Sequence, residues 1–185
     1  MTKAGYKVQK GLKKVVGKDP KVLILGTLPG QESISQREYY RSGKNRFWEV
    51  VFASQYPKVN CKNMNYKDKV NLLKKIHIAL WDVYAEADRK EGSSSDKDID
   101  INSGKFNNVF KFLEQNPSIE FIVFNGVAKS TKRHYTRFLE YFQNEVSAAK
   151  QRGVKIIDDF MSTSSSNGIS TNDLISKWQS ILNFK

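Results

Sequence analysis

"KVLILGTLPGQESISQREYYRSGKNRFWEVV" occupies residues 21–51 and decides the fold. It opens with a short, continuous apolar run, as in strands that are buried on both faces of a parallel sheet. The run ends at Gly26, and a Pro- and Gly-containing connection leads to an aromatic, amide-bearing segment with an apolar helical pattern. A plain strand-to-helix connection needs only a few polar residues. We therefore interpret this longer connection as one that faces a ligand.

Three more short apolar runs follow, and helix-like segments lie between them. The runs are "IHIALWDV" at 76–83, "EFIVFNG" at 120–126 and "VKIIDDF" at 154–160. The helix-like segments span residues 45–56, 66–76, 106–116, 128–151 and 170–184. Because strands alternate with helices, the sequence predicts an α/β fold, a three-layer αβα sandwich around a central, mainly parallel four-stranded sheet.

Two local patterns add detail to this prediction. Ser170 and Asp173 form a capping-box pattern that predicts the start of the last helix. The polar, Ser- and Gly-rich stretch at 88–105 predicts a surface loop. The length of 185 residues predicts one domain over 1–185, with residues 1–20 as a basic N-terminal extension.

The chain is strongly basic, with 31 Lys and Arg against 19 Asp and Glu and a formal net charge of +12. Such an excess attracts polyanions and is typical of nucleic-acid binding. The lysine-rich N-terminus taken alone is equally explained as a solvated tail. Charge therefore favours a nucleic-acid partner without identifying one.

Other composition features restrict the class of protein. No apolar stretch approaches the ~20 residues of a membrane helix, and no apolar h-region follows the N-terminal lysines, so we expect no membrane partner and no secretory signal. The single cysteine, Cys61, excludes an internal disulfide framework. We expect a cytoplasmic, DNA-associated protein that acts as a monomer.

Cofactor and metal chemistry find no support in the motifs. The sequence contains neither GxxxxGK[ST] nor GxGxxG, and its two histidines are far apart. We expect no cofactor and no metal. The residues that follow the predicted strands are amides, aromatics, serines and one aspartate, at the sheet edge where parallel sheets bind ligands. Amides read hydrogen-bonding edges, aromatics stack on flat rings and serines bind phosphates, so this set suits a nucleobase in a pocket.

The same residues resemble a known family. Residues 23–51 are similar to the first motif of the uracil-DNA glycosylase superfamily, and more narrowly of its hypoxanthine-DNA glycosylase (family 6) branch. "ALWDVYAEADRKEGSSSDKDI" (79–99) resembles the Trp-Asp-Val of that branch and the Arg, Glu-Gly-Ser and Asp series behind it. "FIVFNG" (121–126) and "STSSSNG" (162–168) resemble its Asn-Gly strand end and its late Ser-Thr-Ser-Pro-Ala-Asn loop.

The resemblance implies catalytic roles. The loop after the first strand often holds a catalytic Asp or Asn in the superfamily, but here it carries Leu28, which cannot activate water. The hypoxanthine branch has the same apolar residue and is thought to use the Asn of Asn-x-Phe-Trp, which is Asn45. We rank Asp82 first as a strand-end cap or a support for the region around Arg89, and second as a backup catalytic residue.

The resemblance also implies binding roles. Phe47 corresponds to the aromatic that stacks on a flipped base, although a core role is an equal alternative, and Asn125 corresponds to the amide that reads the base edge, with a turn residue as the alternative. The base-binding set is Gly26, Leu28, Tyr40, Phe47 and Asn125. The set expected to contact the DNA backbone is Ser162, Thr163, Ser164, Ser166 and Asn167. The loop departs from the family at Ser165 and Ser166, where Pro and Ala are usual, and at Met161, where a Pro is usual; these departures put its efficiency in question.

The implied function is that of a monofunctional DNA glycosylase in base excision repair. It would hydrolyse the N-glycosidic bond of a deaminated base in DNA, hypoxanthine first and uracil or xanthine as alternatives, after flipping the nucleotide. A catalytically silent nucleic-acid-binding module on the same scaffold is the alternative, and it predicts salt-sensitive binding without base release. An enzyme for free nucleosides is a weaker alternative, because a small neutral substrate gains little from a basic surface.

Overall fold

The computed structural model describes residues 3–126, 128–158 and 162–182, and strands alternate with helices along them. The strands are β1 (Tyr6–Lys10), β2 (Val22–Gly26), β3 (Ile78–Asp82), β4 (Tyr84–Lys90), β5 (Lys105–Phe106), β6 (Phe121–Phe124) and β7 (Lys155–Ile157). The α-helices are α1 (Gln31–Gln36), α2 (Phe47–Gln55), α3 (Tyr66–Lys75), α4 (Val109–Gln115), α5 (Lys129–Tyr141), α6 (Gln143–Gln151) and α7 (Thr171–Leu182).

The central sheet has the strand order β3-β2-β6-β7, and every neighbouring pair is parallel. Its strands fall within the four apolar runs of the sequence, which confirms the predicted four-stranded parallel sheet. The end of the fourth predicted strand, at 159–160, and Met161 lie outside the described residues.

Helices cover both faces of the central sheet. On β2, Leu23 and Leu25 pack into one core with side chains of α4, α5 and α6. Val22 and Ile24 pack into a second core with side chains of α2, α3 and α7. All four side chains are fully buried, and each such burial stabilises the fold by about 1.5–3 kcal/mol. The three-layer prediction is therefore confirmed.

A second sheet, with the order β1-β4-β5, is antiparallel and lies outside the sequence prediction. Strand β1 belongs to the lysine-rich segment for which a solvated tail was one explanation, and it pairs from Tyr6↔Lys90 to Lys10↔Glu86. The expected surface loop at 88–105 contributes the end of β4 and the start of β5. Because β1 is mostly solvent-facing, backbone pairing rather than apolar burial holds it, as in charged edge strands elsewhere.

Two helix boundaries show how local sequence shapes the helical layers. The predicted helix at 128–151 is divided into α5 and α6 at Phe142, whose side chain is buried in the core. Helix α7 begins as predicted, since Ser170 Oγ accepts a hydrogen bond from the Asp173 N–H at 3.1 Å. Among the described residues, no helix is long and apolar enough to cross a membrane.

Candidate functional site

The carboxyl ends of three neighbouring strands form the floor of the site. Gly26 of β2 pairs with Asp82 of β3, and the N–H of Asn125, just after β6, donates to Leu25 O at 2.9 Å. Parallel strands end at one edge of a sheet, so these residues lie side by side. The arrangement agrees with the expectation that the site lies beyond the strand ends.

The side chains of Asn45 and Asn125 meet at the hydroxyl of Thr163. Thr163 Oγ1 donates to Asn45 Oδ1 at 2.8 Å and accepts from Asn125 Nδ2 at 2.9 Å. The Thr163 backbone N–H also donates to Asn125 Oδ1 at 3.0 Å. Two amides that are 80 residues apart in the sequence are thus oriented by one side chain.

Local backbone structure holds Asn45 in place. Its N–H donates to Ser42 O at 2.9 Å, and its Oδ1 accepts from the Phe47 N–H at 2.9 Å, at the first residue of α2. An asparagine before a helix commonly satisfies a free N–H in this way. Asn45 also forms an isolated β-bridge with Ser164. Its amide oxygen therefore receives two donors, which leaves its side chain little rotational freedom.

The aromatic part of the site favours the core alternative for Phe47. The rings of Tyr40 and Phe47 are stacked, with centroids 3.9 Å apart and planes 13° apart. Phe47 is fully buried between this ring and the edges of Trp48 and Trp178. Since Tyr40 covers Phe47, the structure does not leave Phe47 open to an incoming base, whereas Tyr40 is half-buried as a residue.

Tyr40 is held in an uncommon backbone conformation. Its φ of 52° lies in the left-handed region, which costs a bulky residue about 1–3 kcal/mol. Burial raises the pKa of the Tyr40 hydroxyl, and an interaction with the Asn125 side chain partly opposes that rise. The left-handed backbone at Tyr40 thus places its side chain next to the Asn125 amide.

Asp82 is almost fully buried beneath the site. Its Oδ2 accepts a hydrogen bond from the Tyr39 hydroxyl at 2.9 Å. Burial raises the pKa of Asp82 to about 7, the hydrogen bond from Tyr39 opposes this rise, and the nearby charges of Asp96 and Arg89 act in opposite directions. A Cβ on Gly26 would lie 2.6 Å from Asp82 Oδ1, so only glycine allows this approach.

The serine loop, residues 162–167, pairs with the segment that carries Asn45. Arg46 N–H donates to Thr163 O at 3.0 Å, and Ser165 N–H donates to Lys44 O at 2.9 Å. Thr163 is fully buried, whereas Ser165 and Ser166 are exposed at the tip. The structure thus removes Thr163 from the residues expected to face DNA phosphates, because its hydroxyl and N–H are used by the two amides.

Arg46 is a site residue that the sequence reasoning missed. Its guanidinium donates to Ile169 O and Asn167 Oδ1, both at 2.8 Å, and to Ser164 O at 3.2 Å. The Asn167 side chain in turn donates to Ser162 O. These bonds tie the serine loop down although it carries neither the usual Pro nor the usual Ala. A basic residue between Asn45 and Phe47 was the only sequence signal for this role.

Leu28 contributes to the site through its backbone. Its side chain is 5% exposed and packs in the core. Its carbonyl accepts from Arg89 Nη2 at 2.9 Å. The prediction that Leu28 cannot activate water agrees with this placement in the core.

A cavity of about 290 Å³ lies beside Tyr40 and away from the two amides. Its walls include the aromatic rings of Tyr39, Trp48 and Tyr66, and neither Asn45 nor Asn125 lines it. The convergent amides therefore define the candidate site better than this cavity does.

The fold is similar to that of a solved structure. A solved solution structure from Methanosarcina acetivorans, provisionally described as a uracil DNA glycosylase, matches 95% of this chain and 97% of its own, with a TM-score of 0.71 and 27% identity. No protein-family model matches the chain. The fold and the arrangement of the site define a protein of the uracil-DNA glycosylase class.

Comparison with curated sequences gives the family. A protein of Methanosarcina acetivorans named Hypoxanthine DNA glycosylase is 34% identical over 119 residues, which are 64% of this chain and 72% of the relative. One of the same name from Methanosarcina barkeri is 30% identical over 118 residues, which are 64% of this chain and 71% of the relative. The chain belongs to the hypoxanthine DNA glycosylase family and is a DNA glycosylase. The predicted resemblance is confirmed, and the silent binding module is not supported.

Replacing Thr163 tests the link between the two amides. Thr163→Val keeps the shape but removes the hydroxyl, so Asn45 and Asn125 each lose a buried partner, at a cost of about 1–3 kcal/mol. We expect lower stability and a base-release rate about 10- to 100-fold lower. Thr163→Ser keeps the hydroxyl and is the matched control. Equal rates for both variants in single-turnover assays would contradict the role.

Asp82 makes the free energy of unfolding depend on pH. An acid with a pKa of about 7 in the folded state and an ordinary value of 3.8 binds more protons when folded. The stabilising contribution of the protonated Asp82 carboxyl is therefore fully present below about pH 4 and is lost as the pH rises to about 7. Denaturant unfolding across this range should show the decline in the wild type and a flatter profile in Asp82→Asn.

Tyr39→Phe is a control for the same unfolding measurement, because the direction of its effect on the pKa of Asp82 is defined. The Tyr39 hydroxyl lowers the pKa of Asp82 through its hydrogen bond. Without that hydroxyl, the decline in stability should extend to higher pH. A wild-type profile that Asp82→Asn leaves unchanged would show that another group titrates.

Proposed function

We propose that this DNA glycosylase hydrolyses the N-glycosidic bond of hypoxanthine in DNA, with uracil and xanthine as further substrates. The names of its relatives support this substrate class. The observation that carries the proposal is the meeting of Asn45 and Asn125 at Thr163, beside the half-buried Tyr40. We infer a monomer, because one chain supplies all of these groups, and action inside the cell, where DNA is found.

Base recognition in this proposal uses Tyr40 and Asn125. A base in a duplex must flip out before a pocket can take it, and this costs least for mispaired or damaged bases. The flipped base stacks on the face of Tyr40 opposite Phe47, while Phe47 supports that ring from beneath. Stacking on an aromatic ring contributes about 1–3 kcal/mol per base. This assignment transfers the predicted stacking role from Phe47 to Tyr40.

Asn125 is well suited to read the base edge. Thr163 engages one proton of Asn125 Nδ2 and one side of its Oδ1, and the Tyr40 hydroxyl also interacts with this side chain, so a base edge that binds Asn125 takes the place of the Tyr40 hydroxyl. A donor beside an acceptor matches the N–H and C=O edge that hypoxanthine, uracil and xanthine share. Adenine and cytosine present the opposite pattern at this edge, so these two normal bases are disfavoured, whereas guanine and thymine share the edge and are not excluded by Asn125.

Asn45 acts by positioning the attacking water. Cleavage of the bond places positive charge on the sugar and negative charge on the departing base, and donors aimed at that charge lower the barrier. An amide orients water but accepts protons poorly, so we expect modest rates. Asp82 is 3% exposed and bonded to Tyr39, which favours a supporting role over proton abstraction.

DNA contacts in this proposal come from the serine loop and the basic surface. The tip residues Ser165 and Ser166 are exposed, and Ser164 and Ser166 share a hydrogen bond of 2.9 Å between their hydroxyls. Ser162, Ser164, Ser166 and Asn167 remain our candidates for contacts with the DNA backbone. With a net charge of +12, binding should weaken steeply with salt.

A base-panel assay tests the proposed activity. Duplex and single-stranded oligonucleotides, each with one hypoxanthine, uracil or xanthine, are incubated with excess enzyme and cleaved with alkali at abasic sites. We expect cleavage at hypoxanthine, and Asn45→Ala should release base about 100-fold more slowly while it still binds DNA. Binding without cleavage of any substrate would overturn the proposal. Full activity of Asn45→Ala would instead move catalysis to another residue.

Substitutions at Tyr40 separate stacking from hydrogen bonding. Tyr40→Phe keeps the ring and should retain most activity, whereas Tyr40→Leu removes it and should lose about 10- to 100-fold in binding of DNA with a flipped base. Fluorescence of 2-aminopurine beside the lesion reports the flipped state. Equal flipping by both variants would contradict the platform role of Tyr40.

A further inference from the structure

We propose that Arg89 and Asp96 are positioning residues of the active site, which hold the loop after β2 and the Asn125 strand end in one register. The proposal rests on the glycosylase function proposed above and adds residues that lie outside the base-binding and catalytic sets. It is carried by a network of hydrogen bonds and one ion pair between the second sheet and the site.

Arg89 of β4 is fully buried, which is unusual for a charged side chain. Its guanidinium donates to two successive carbonyls of the loop after β2, from Nη2 to Leu28 O at 2.9 Å and from Nη1 to Pro29 O at 2.6 Å. Nη1 also donates to Gln9 Oε1 of β1 at 3.0 Å. The planar guanidinium thus joins β4 and β1 of the second sheet to the loop that begins at the site.

Stability alone does not explain this arginine. A buried ion pair is often no more stabilising than well-packed apolar residues of similar volume. What an apolar side chain cannot do is bind two consecutive carbonyl oxygens in a fixed plane. The loop held in this way begins at Gly26, whose backbone lies against Asp82 and the Tyr40 hydroxyl.

Asp96 is the counter-ion of Arg89 and extends the network. Its Oδ1 lies 3.7 Å from Arg89 Nη2, and its Oδ2 accepts from Thr27 Oγ1 at 3.2 Å and from Thr131 Oγ1 at 2.9 Å. Thr27 belongs to the loop after β2, and Thr131 belongs to α5, which follows Asn125. One carboxylate therefore binds the elements on both sides of the site.

The network reaches Asn125 by two routes. The single hydroxyl proton of Thr27 is shared between Asp96 Oδ2 and the Tyr135 hydroxyl, which lies 3.3 Å from Thr27 Oγ1, and the Tyr135 hydroxyl donates to Asn125 O at 3.2 Å. A Cβ on Gly126 would lie 2.8 Å from Thr131 Cγ2, so the turn after Asn125 packs directly on the threonine that Asp96 holds. A shift of Arg89 or Asp96 would thus displace the backbone that presents Asn125. Displacements of about 1 Å at a reacting centre can lower rates about 100-fold.

Arg89→Lys tests the proposal, because it keeps the charge but loses the planar fork. We expect the single-turnover rate of hypoxanthine release to fall about 100-fold, while the Kd for the same DNA changes by less than about threefold. Asp96→Asn keeps an acceptor, so we expect a smaller fall in the single-turnover rate, about 10-fold, again with little change in the Kd for DNA. Arg152→Lys, at an exposed arginine after α6, is the matched control and should behave as wild type.

Folding is monitored so that a structural role gives a different result. Circular dichroism and thermal unfolding identify variants that fold, and single-turnover rates are compared among these alone. If Arg89→Lys does not fold, Asp96→Asn and Thr27→Val carry the test. For a folded Arg89→Ala variant, we expect millimolar methylguanidinium to restore part of the single-turnover rate. If the defect were purely structural, the added guanidinium would leave the rate unchanged.

Each outcome has a distinct meaning. Folded variants of Arg89 and Asp96 with wild-type single-turnover rates would overturn the positioning role, as would equal losses in rate and DNA affinity. A wild-type enzyme that releases no base from any substrate would overturn the proposed function instead. The two failures are therefore separable in one set of assays.

Discussion

The hydroxyl of Thr163 is the interaction on which the arrangement of the site depends. It donates to Asn45 and accepts from Asn125, and the backbone N–H of the same residue donates to Asn125 Oδ1. This pattern leaves only one orientation for the Asn125 amide, because an N–H can be satisfied only by the oxygen. Thr163 is fully buried, and hydrogen bonds shielded from water are stronger than exposed ones. A single loop residue thus orients two amides borne by different elements.

The two sheets contribute to the site in different ways. The parallel sheet brings Gly26, Asp82 and Asn125 to one edge through strand pairing alone. The antiparallel sheet carries Arg89, whose donors end on the loop after β2. Strand β1 has little apolar burial of its own. The pairing of β1 with β4 is therefore best explained by its effect on Gln9, which it places beside the buried Arg89 guanidinium.

Much of the fold and part of the site were predictable from the sequence. Strands buried on both faces leave continuous apolar runs, and their shared C-terminal edge places Asn125 near the loop after β2. The pairing of β1 with β4 was not predictable, because polar edge strands carry no apolar pattern and join residues about 80 positions apart. Spacing alone also cannot tell whether Tyr40 covers Phe47 or the reverse.

Thr163 shows a further limit of sequence reasoning. A threonine in a serine-rich loop after a strand is a reasonable candidate for phosphate contact. Its actual partner, Asn45, lies 118 residues away in the chain, and nothing local encodes that contact. The same holds for Arg46, whose bonds to residues 164–171 replace the stiffness that a Pro-containing loop would have. Function-bearing contacts of this kind depend on tertiary packing.

The charge of the site suits the reaction that it supports. The departing base carries negative charge, so a fixed carboxylate beside it would oppose cleavage. Asn45 and Asn125 are neutral, and burial raises the pKa of Asp82 to about 7, so that near neutral pH a large fraction of this carboxyl is protonated. The negative charge that stabilises the sugar cation can then come from the DNA phosphates, which the chain attracts with its net charge of +12. A low negative charge at the strand ends and a high positive charge over the whole chain are thus complementary parts of one electrostatic arrangement.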